Sequence, residues 1–158
     1  MIESKERLLL LASVFVVAAS GLVYELIAGA ISSYLMGDAV TQFSLVIGVF
    51  LSAMGIGSYL VQYVQKDLLF LFVKLELWVA FIGGISSIVI FATSAMLNSI
   101  FLLVFYCLCA SIGALVGAEI PLLIRILKEK EEVEQALSNV LALDYLGALL
   151  GSILFPFV

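Results

Sequence analysis

The sequence predicts an all-α integral membrane fold, an antiparallel bundle of four transmembrane helices plus a fifth C-terminal helix, with the N-terminus cytoplasmic. Three observations carry that expectation. Apolar residues make up 65% of the 158 positions and charged residues 12%, with a mean hydropathy of +1.29, a balance foreign to water-soluble domains. Uncharged stretches run from Leu8 to Tyr24, from Ala39 to Gln65 and from Leu77 to Ala118. They have the length needed to cross a hydrocarbon core of about 30 Å. Finally, all seven Lys and Arg residues fall on one side of the topology these stretches define.

The expected spans are 8–36, 39–65, 69–95, 99–127 and 139–158, forming one transmembrane helical domain over 1–158. They consume nearly the whole chain and leave no room for a second core. Lys5 and Arg7 precede the first run as in a signal peptide, but the run is too long for an h-region, and no convincing small-residue cleavage site ends it before Glu25. The segment reads as a retained helix. At about 29 residues, or roughly 43 Å if straight, it must tilt, break or protrude, and Ser20-Gly21 is the expected break.

The stretch from Leu77 to Ala118 is long enough for two spans, and Ser94 to Ser99 is its natural break. Met96 and Leu97 lie there between Ser94, Asn98 and Ser99, residue types that favour turns and caps. Ser138-Asn139, after the charged run from Lys128 to Glu134, marks the expected start of the fifth helix.

Orientation follows from the basic residues. Lys5 and Arg7 precede span one, Lys66 and Lys74 lie between spans two and three, and Arg125, Lys128 and Lys130 lie between four and five. The turns around Gly37-Asp38 and Asn98 carry none, so the first set faces the cytoplasm and Val158 the outside. The net charge of −5 comes partly from Glu129, Glu131, Glu132 and Glu134, which contribute little to orientation. It excludes the basic face that nucleic-acid binding requires.

In lipid, helices associate through small residues spaced three and four apart. Gly21, Glu25, Gly29 and Ser33 line one face of span one, Ser44, Gly48, Ser52 and Gly55 of span two, and Glu76, Ala80, Gly83 and Ser87 of span three. Gly113 and Gly117 mark span four, and Asp144, Gly147 and Gly151 mark span five. Packing seams are the first reading of these stripes, and they also allow a homo-oligomer. Cys107 and Cys109 point to nearly opposite sides of a helix, so they cannot bridge each other and read as lipid-facing or packed small hydrophobes. With no histidine, and no cysteine pair at ligand spacing, neither a zinc nor an iron site is expected, and no cofactor.

Carboxylates inside a span are expensive and mark function by default. Glu25, Glu119 and Asp144 lie within apolar segments, and Glu76 near the inner end of span three. Glu25, Glu76 and Asp144 share their face with the small residues, which aims them into the bundle. Glu119 stands about 200° from Gly117, and Pro121 can distort that turn, so its direction stays open. By depth, Glu76, Glu119 and Asp144 approach the cytoplasmic third and Glu25 the outer half. These four are the candidate contacts for a cation or for proton exchange; the alternative is local pairing with Lys74 and Arg125, or protonation.

An ordered set of strings resembles the N-terminal membrane region of the membrane-bound spermidine synthase-like proteins, polyamine aminopropyltransferases with an added transmembrane domain. The strings are Ser20-Gly21-Leu22-Val23-Tyr24-Glu25, Gly37-Asp38-Ala39-Val40-Thr41-Gln42-Phe43-Ser44 and Gly55-Ile56-Gly57-Ser58. Glu119-Ile120-Pro121-Leu122-Leu123 and Leu143-Asp144-Tyr145-Leu146-Gly147-Ala148-Leu149 complete it. The resemblance implies a multi-pass protein of the bacterial inner (plasma) membrane whose aminopropyl transfer resides in a cytoplasmic Rossmann-like domain after the helices. Here no glycine-rich nucleotide loop follows a strand, and no acidic pocket awaits putrescine and decarboxylated S-adenosylmethionine. The expectation is therefore a truncated piece or a gene reduced to its membrane part, and with Val158 outside, a cytoplasmic domain would need at least one further crossing.

Three functions fit. The first is the membrane module of a polyamine synthase-like protein, anchoring the transferase domain or handling its cationic product through Glu25, Glu76, Glu119 and Asp144. The second is an independent proton- or cation-coupled transporter or channel bundle using the same carboxylates. The third is a structural oligomerising anchor with internally paired carboxylates. Lipid is the partner in all three.

Overall fold

The computed structural model describes residues 4–94, 98–128 and 132–157, and side chains among them outside 4–6, 98 and 99. Five helices follow in order: α1 (Ser4–Met36), α2 (Ala39–Val61), α3 (Leu68–Ser94), α4 (Asn98–Leu127) and α5 (Val133–Leu154), with a closing 3₁₀ turn Phe155–Phe157. All five are long and apolar enough to cross a membrane. Among the described residues there is no strand.

The outward surfaces fit that reading. Leu8, Leu51, Phe70, Phe81, Ile88, Phe91, Leu103 and Leu149 are all exposed, and such a girdle of large apolar side chains suits contact with lipid. Hydroxyls in these helices turn inward on their own backbone: Ser44 Oγ donates to the Val40 carbonyl at 2.8 Å, Ser52 to Gly48 at 2.7 Å and Ser111 to Cys107 at 2.7 Å. Each is satisfied four residues back and can face hydrocarbon without an unpaired donor.

A two-residue turn joins α1 to α2. Gly37 takes a left-handed φ of 74°, and Asp38 follows at 46°. Asp38 caps α2, accepting from Thr41 Oγ1 at 2.6 Å and from the Thr41 amide at 3.4 Å. The next connection ends on Asp67, also at positive φ, whose carbonyl accepts from the Leu71 amide to start α3.

Helix α4 is the hub and packs against α1, α2, α3 and α5. Its contact with α2 is the most extensive, that of α1 with α5 the next. Gln42 meets Tyr106, Phe50 meets Gly113, and Val61 and Val64 meet Arg125, so α2 and α4 run in the same sense. Phe15 against Gly147 and Ala19 against Gly151 give α1 and α5 the same relation.

Several details depart from the sequence reading. Helix α1 has no break at Ser20-Gly21 and is continuous over 33 residues; Ser20 Oγ bonds the Val16 carbonyl inside the helix. An unbroken helix of about 50 Å tilts or protrudes. Helix α2 ends at Val61, short of Gln65. Helix α5 begins at Val133, so Ser138-Asn139 lie inside it and cap nothing. Ala136 and Val140 are fully buried, and that packing draws the first turns into the helix, where Glu134 also suits the N-terminal dipole. The break between spans three and four falls where expected, after Ser94; Met96 and Leu97 lie outside the described residues, as do Glu129, Lys130 and Glu131.

The small-residue seams divide. Gly21 and Gly29 of α1, Gly113 and Gly117 of α4, and Gly147 and Gly151 of α5 are buried at helix contacts, as the spacing predicts. The stripe on α2 is not a seam of this chain: Ser44, Gly48, Ser52 and Gly55 are exposed, and nothing approaches Gly48 or Gly55. The face of α2 that packs is Val46, Phe50, Ala53, Gly57 and Val61. On α3, Gly83 is buried against the Tyr24 ring while Ala80 and Ser87 face outward. Cys107 is exposed and Cys109 buried, the split expected for positions two apart.

Candidate functional site

The four candidate carboxylates occupy two levels of the molecule. Glu119 sits on α4, which is enclosed by the other helices at that height, and it is only 3% exposed. That settles the direction left open by Pro121, which lies within a helix continuous from Asn98 to Leu127. Glu119 faces protein because α4 is surrounded, not because it shares the Gly117 face.

The surroundings of Glu119, Glu76 and Asp144 are one apolar body. Ala118 and Leu122 flank Glu119, Phe72 and Leu75 lie beside Glu76, and Val140 and Leu143 precede Asp144. All six belong to the same cluster, closed on the α1 side by Leu10 and Val14. Glu119 lies within electrostatic range of both Glu76 and Asp144, so three helices bring three carboxylates together. Glu76 and Asp144 are partly exposed, and Glu119 stands behind them. Oε1 of Glu76 and Oε1 of Glu119 are buried without a hydrogen-bond partner.

Glu25 belongs elsewhere. It lies partly buried on α1, within electrostatic range of Cys109 further toward the Asn98 end of α4. The depth reading from the sequence separated Glu25 from the other three, and the packing draws the same division.

Among the described residues, the Arg125 guanidinium bonds to backbone carbonyls instead of to a carboxylate. Its Nη1 donates to the Val61 carbonyl at 2.9 Å and its Nη2 to the Val64 carbonyl, so the guanidinium closes the C-terminal end of α2. The Val61 carbonyl also accepts from the Val64 amide in the closing turn, and a cation at this C-terminal end suits the helix dipole. The role was hidden in the sequence because α2 was expected to run to residue 65; a 23-residue α2 beside a 30-residue α4 leaves the carbonyls of α2 level with Arg125. Lys74 is exposed on α3.

Among the described residues, no three of His, Cys, Asp and Glu come together in a way that could hold a metal ion. The three carboxylates are thus near enough to feel one another and too spread to share one ion's inner shell.

The helices and their apolar exterior define a class, the all-helical membrane proteins. Within it, the chain is 49% identical over 144 residues to the polyamine aminopropyltransferase of Leptospira interrogans, a match covering 91% of this chain and 29% of that protein. It is 52% identical over 152 residues to polyamine aminopropyltransferase 2 of Ralstonia nicotianae, covering 95% of this chain and 30% of the relative. Polyamine aminopropyltransferase 1 of Streptomyces coelicolor is 40% identical over 152 residues, covering 95% of this chain and 28% of the relative. The chain is therefore homologous to a part of the proteins named polyamine aminopropyltransferase, the family its motifs resemble, and spans about 30% of the length of these relatives. No family model matches it, and no solved structure does.

Proposed function

We propose that this chain is the membrane module of a polyamine aminopropyltransferase-like protein, a single helical domain that holds a cytoplasmic transferase domain at the bacterial inner membrane. The supporting observation is a coincidence of extents: more than nine-tenths of the chain aligns with under a third of each relative, and the chain is made of helices long enough to cross a bilayer. A module of this kind needs no chemistry of its own. Its buried carboxylates give it a means of holding the cationic class of molecule after which its relatives are named.

The proposed arrangement is an alternating bundle with five crossings and the N-terminus inside, following the basic residues. In a Cys107→Ser, Cys109→Ser background, single cysteines at Asp38 and Asp67 should react with a membrane-impermeant maleimide from opposite sides of the membrane, Asp38 from the outside. Deleting the matching segment from the Leptospira relative should release its transferase into the soluble fraction. Labelling of both positions from one side would overturn the topology; a deletion variant still held in the membrane would overturn the anchor.

A further inference from the structure

Three carboxylates gathered in one apolar cluster present an unsolved charge. Leaving such groups ionised and unpaired costs several kcal/mol each, so each is either held neutral or met by a cation. Arg125, whose guanidinium was the natural candidate, is committed to the carbonyls of Val61 and Val64. Lys74 is exposed on α3.

A proton would remove the charge and still leave Glu119 Oε1 buried without a hydrogen-bond partner. A bare metal ion needs several oxygens drawn to within about 2.0 to 2.6 Å of one point, and the described residues offer no such group. An ammonium supplies charge and N–H donors together. The layout favours one with more than a single charge. Glu76 and Asp144 are partly exposed and Glu119 is buried, and Phe72, Leu122, Val140 and Leu143 of the surrounding apolar cluster suit methylene groups.

We infer that Glu76, Glu119 and Asp144 form a binding site for an extended aliphatic ammonium, a chain of methylenes carrying two or more positive nitrogens. One nitrogen donates to Glu119 Oε1, a second meets Glu76 or Asp144 nearer the surface, and the carbon chain lies along the apolar walls. This deepens the membrane-module reading, on which the assignment of polyamine as the natural ligand rests. The site itself rests on the unpartnered oxygens and their surroundings.

The experiment is equilibrium binding of radiolabelled spermidine to the purified chain in an uncharged detergent, with 1,3-diaminopropane, n-propylamine and Mg²⁺ as competitors. Monodispersity by size-exclusion chromatography is checked for every variant. Spermidine should bind saturably, diaminopropane should compete at least about tenfold better than the monoamine, and Mg²⁺ should not compete at equal ionic strength. Glu119→Gln should weaken binding about tenfold or more, and Glu76→Gln and Asp144→Asn should each weaken it, while Glu25→Gln stays within about twofold. If Glu119→Gln does not fold, the partly exposed Glu76 and Asp144 carry the test.

No saturable binding by the folded wild-type chain, equal competition by the monoamine or by Mg²⁺, or undiminished binding in the Glu76→Gln, Asp144→Asn double variant would each overturn the site. The membrane-module reading stands or falls separately, on the deletion and labelling results.

Discussion

Gly57 of α2 lies against the Ala114 carbonyl of α4 so closely that a Cβ on Gly57 would overlap it. One turn along the interface, Gly117 of α4 stands in the same relation to the Met54 backbone. These two contacts set the distance between the two most extensively paired helices, and in lipid such approach is what draws helices together.

Gly57→Ala and Gly117→Ala should each destabilise the chain by about 1–3 kcal/mol, because backbone on both sides must move apart. Gly48→Ala and Gly55→Ala, on the open face of the same helix, should be neutral or raise stability by up to about 1 kcal/mol through helix propensity. Thermal unfolding in detergent compares the four; equal losses in both pairs would show that the α2–α4 contact is misplaced.

Arg125→Ala should cost about 1.5–3 kcal/mol, since it removes a charged donor from two carbonyls at the end of α2. Arg125→Lys should recover part of that loss, as one ammonium cannot span both acceptors in the guanidinium's fork geometry. Chemical unfolding of the two variants against wild type provides the measurement.

Ser138 sits in the second turn of α5 and not at its start. Ser138→Ala should therefore change stability by no more than about 0.5 kcal/mol, whereas a true N-cap would lose about 1 kcal/mol. A loss of the larger size would move the helix start back to Ser138.

Asp38, fully exposed in the turn before α2, is held below its ordinary value of 3.8 by the Thr41 hydroxyl and then the Thr41 amide. A lowered carboxylate in the folded state means that the cap's contribution is complete above about pH 4 and fades as pH falls through the lowered folded value. Asp38→Asn should flatten the stability profile in that acid window and leave its slope near neutrality unchanged. A melting series from pH 6 down to pH 2 on both proteins tests the sign.

Much of this molecule was written locally. Mean hydropathy and the uncharged runs located five helices, with α1 ending at Met36 and α2 starting at Ala39 as read, because burial in lipid depends on the composition of each segment alone. Glycine spacing found the contacts of Gly21, Gly29, Gly113, Gly117, Gly147 and Gly151. The separation of Glu25 from Glu76, Glu119 and Asp144 followed from counting residues along helices of fixed rise.

Which face of a helix meets protein and which meets lipid is a different question, since apolar side chains are equally at home against either. Only the tertiary structure decided that α2 presents Ser44, Gly48, Ser52 and Gly55 outward, their hydroxyls being satisfied within the helix. It likewise enclosed Glu119 by packing α4 against all four other helices, and carried Arg125 to the end of α2, away from the carboxylates. The residues of one helix set its span; the neighbours it acquires set what its charged groups can reach.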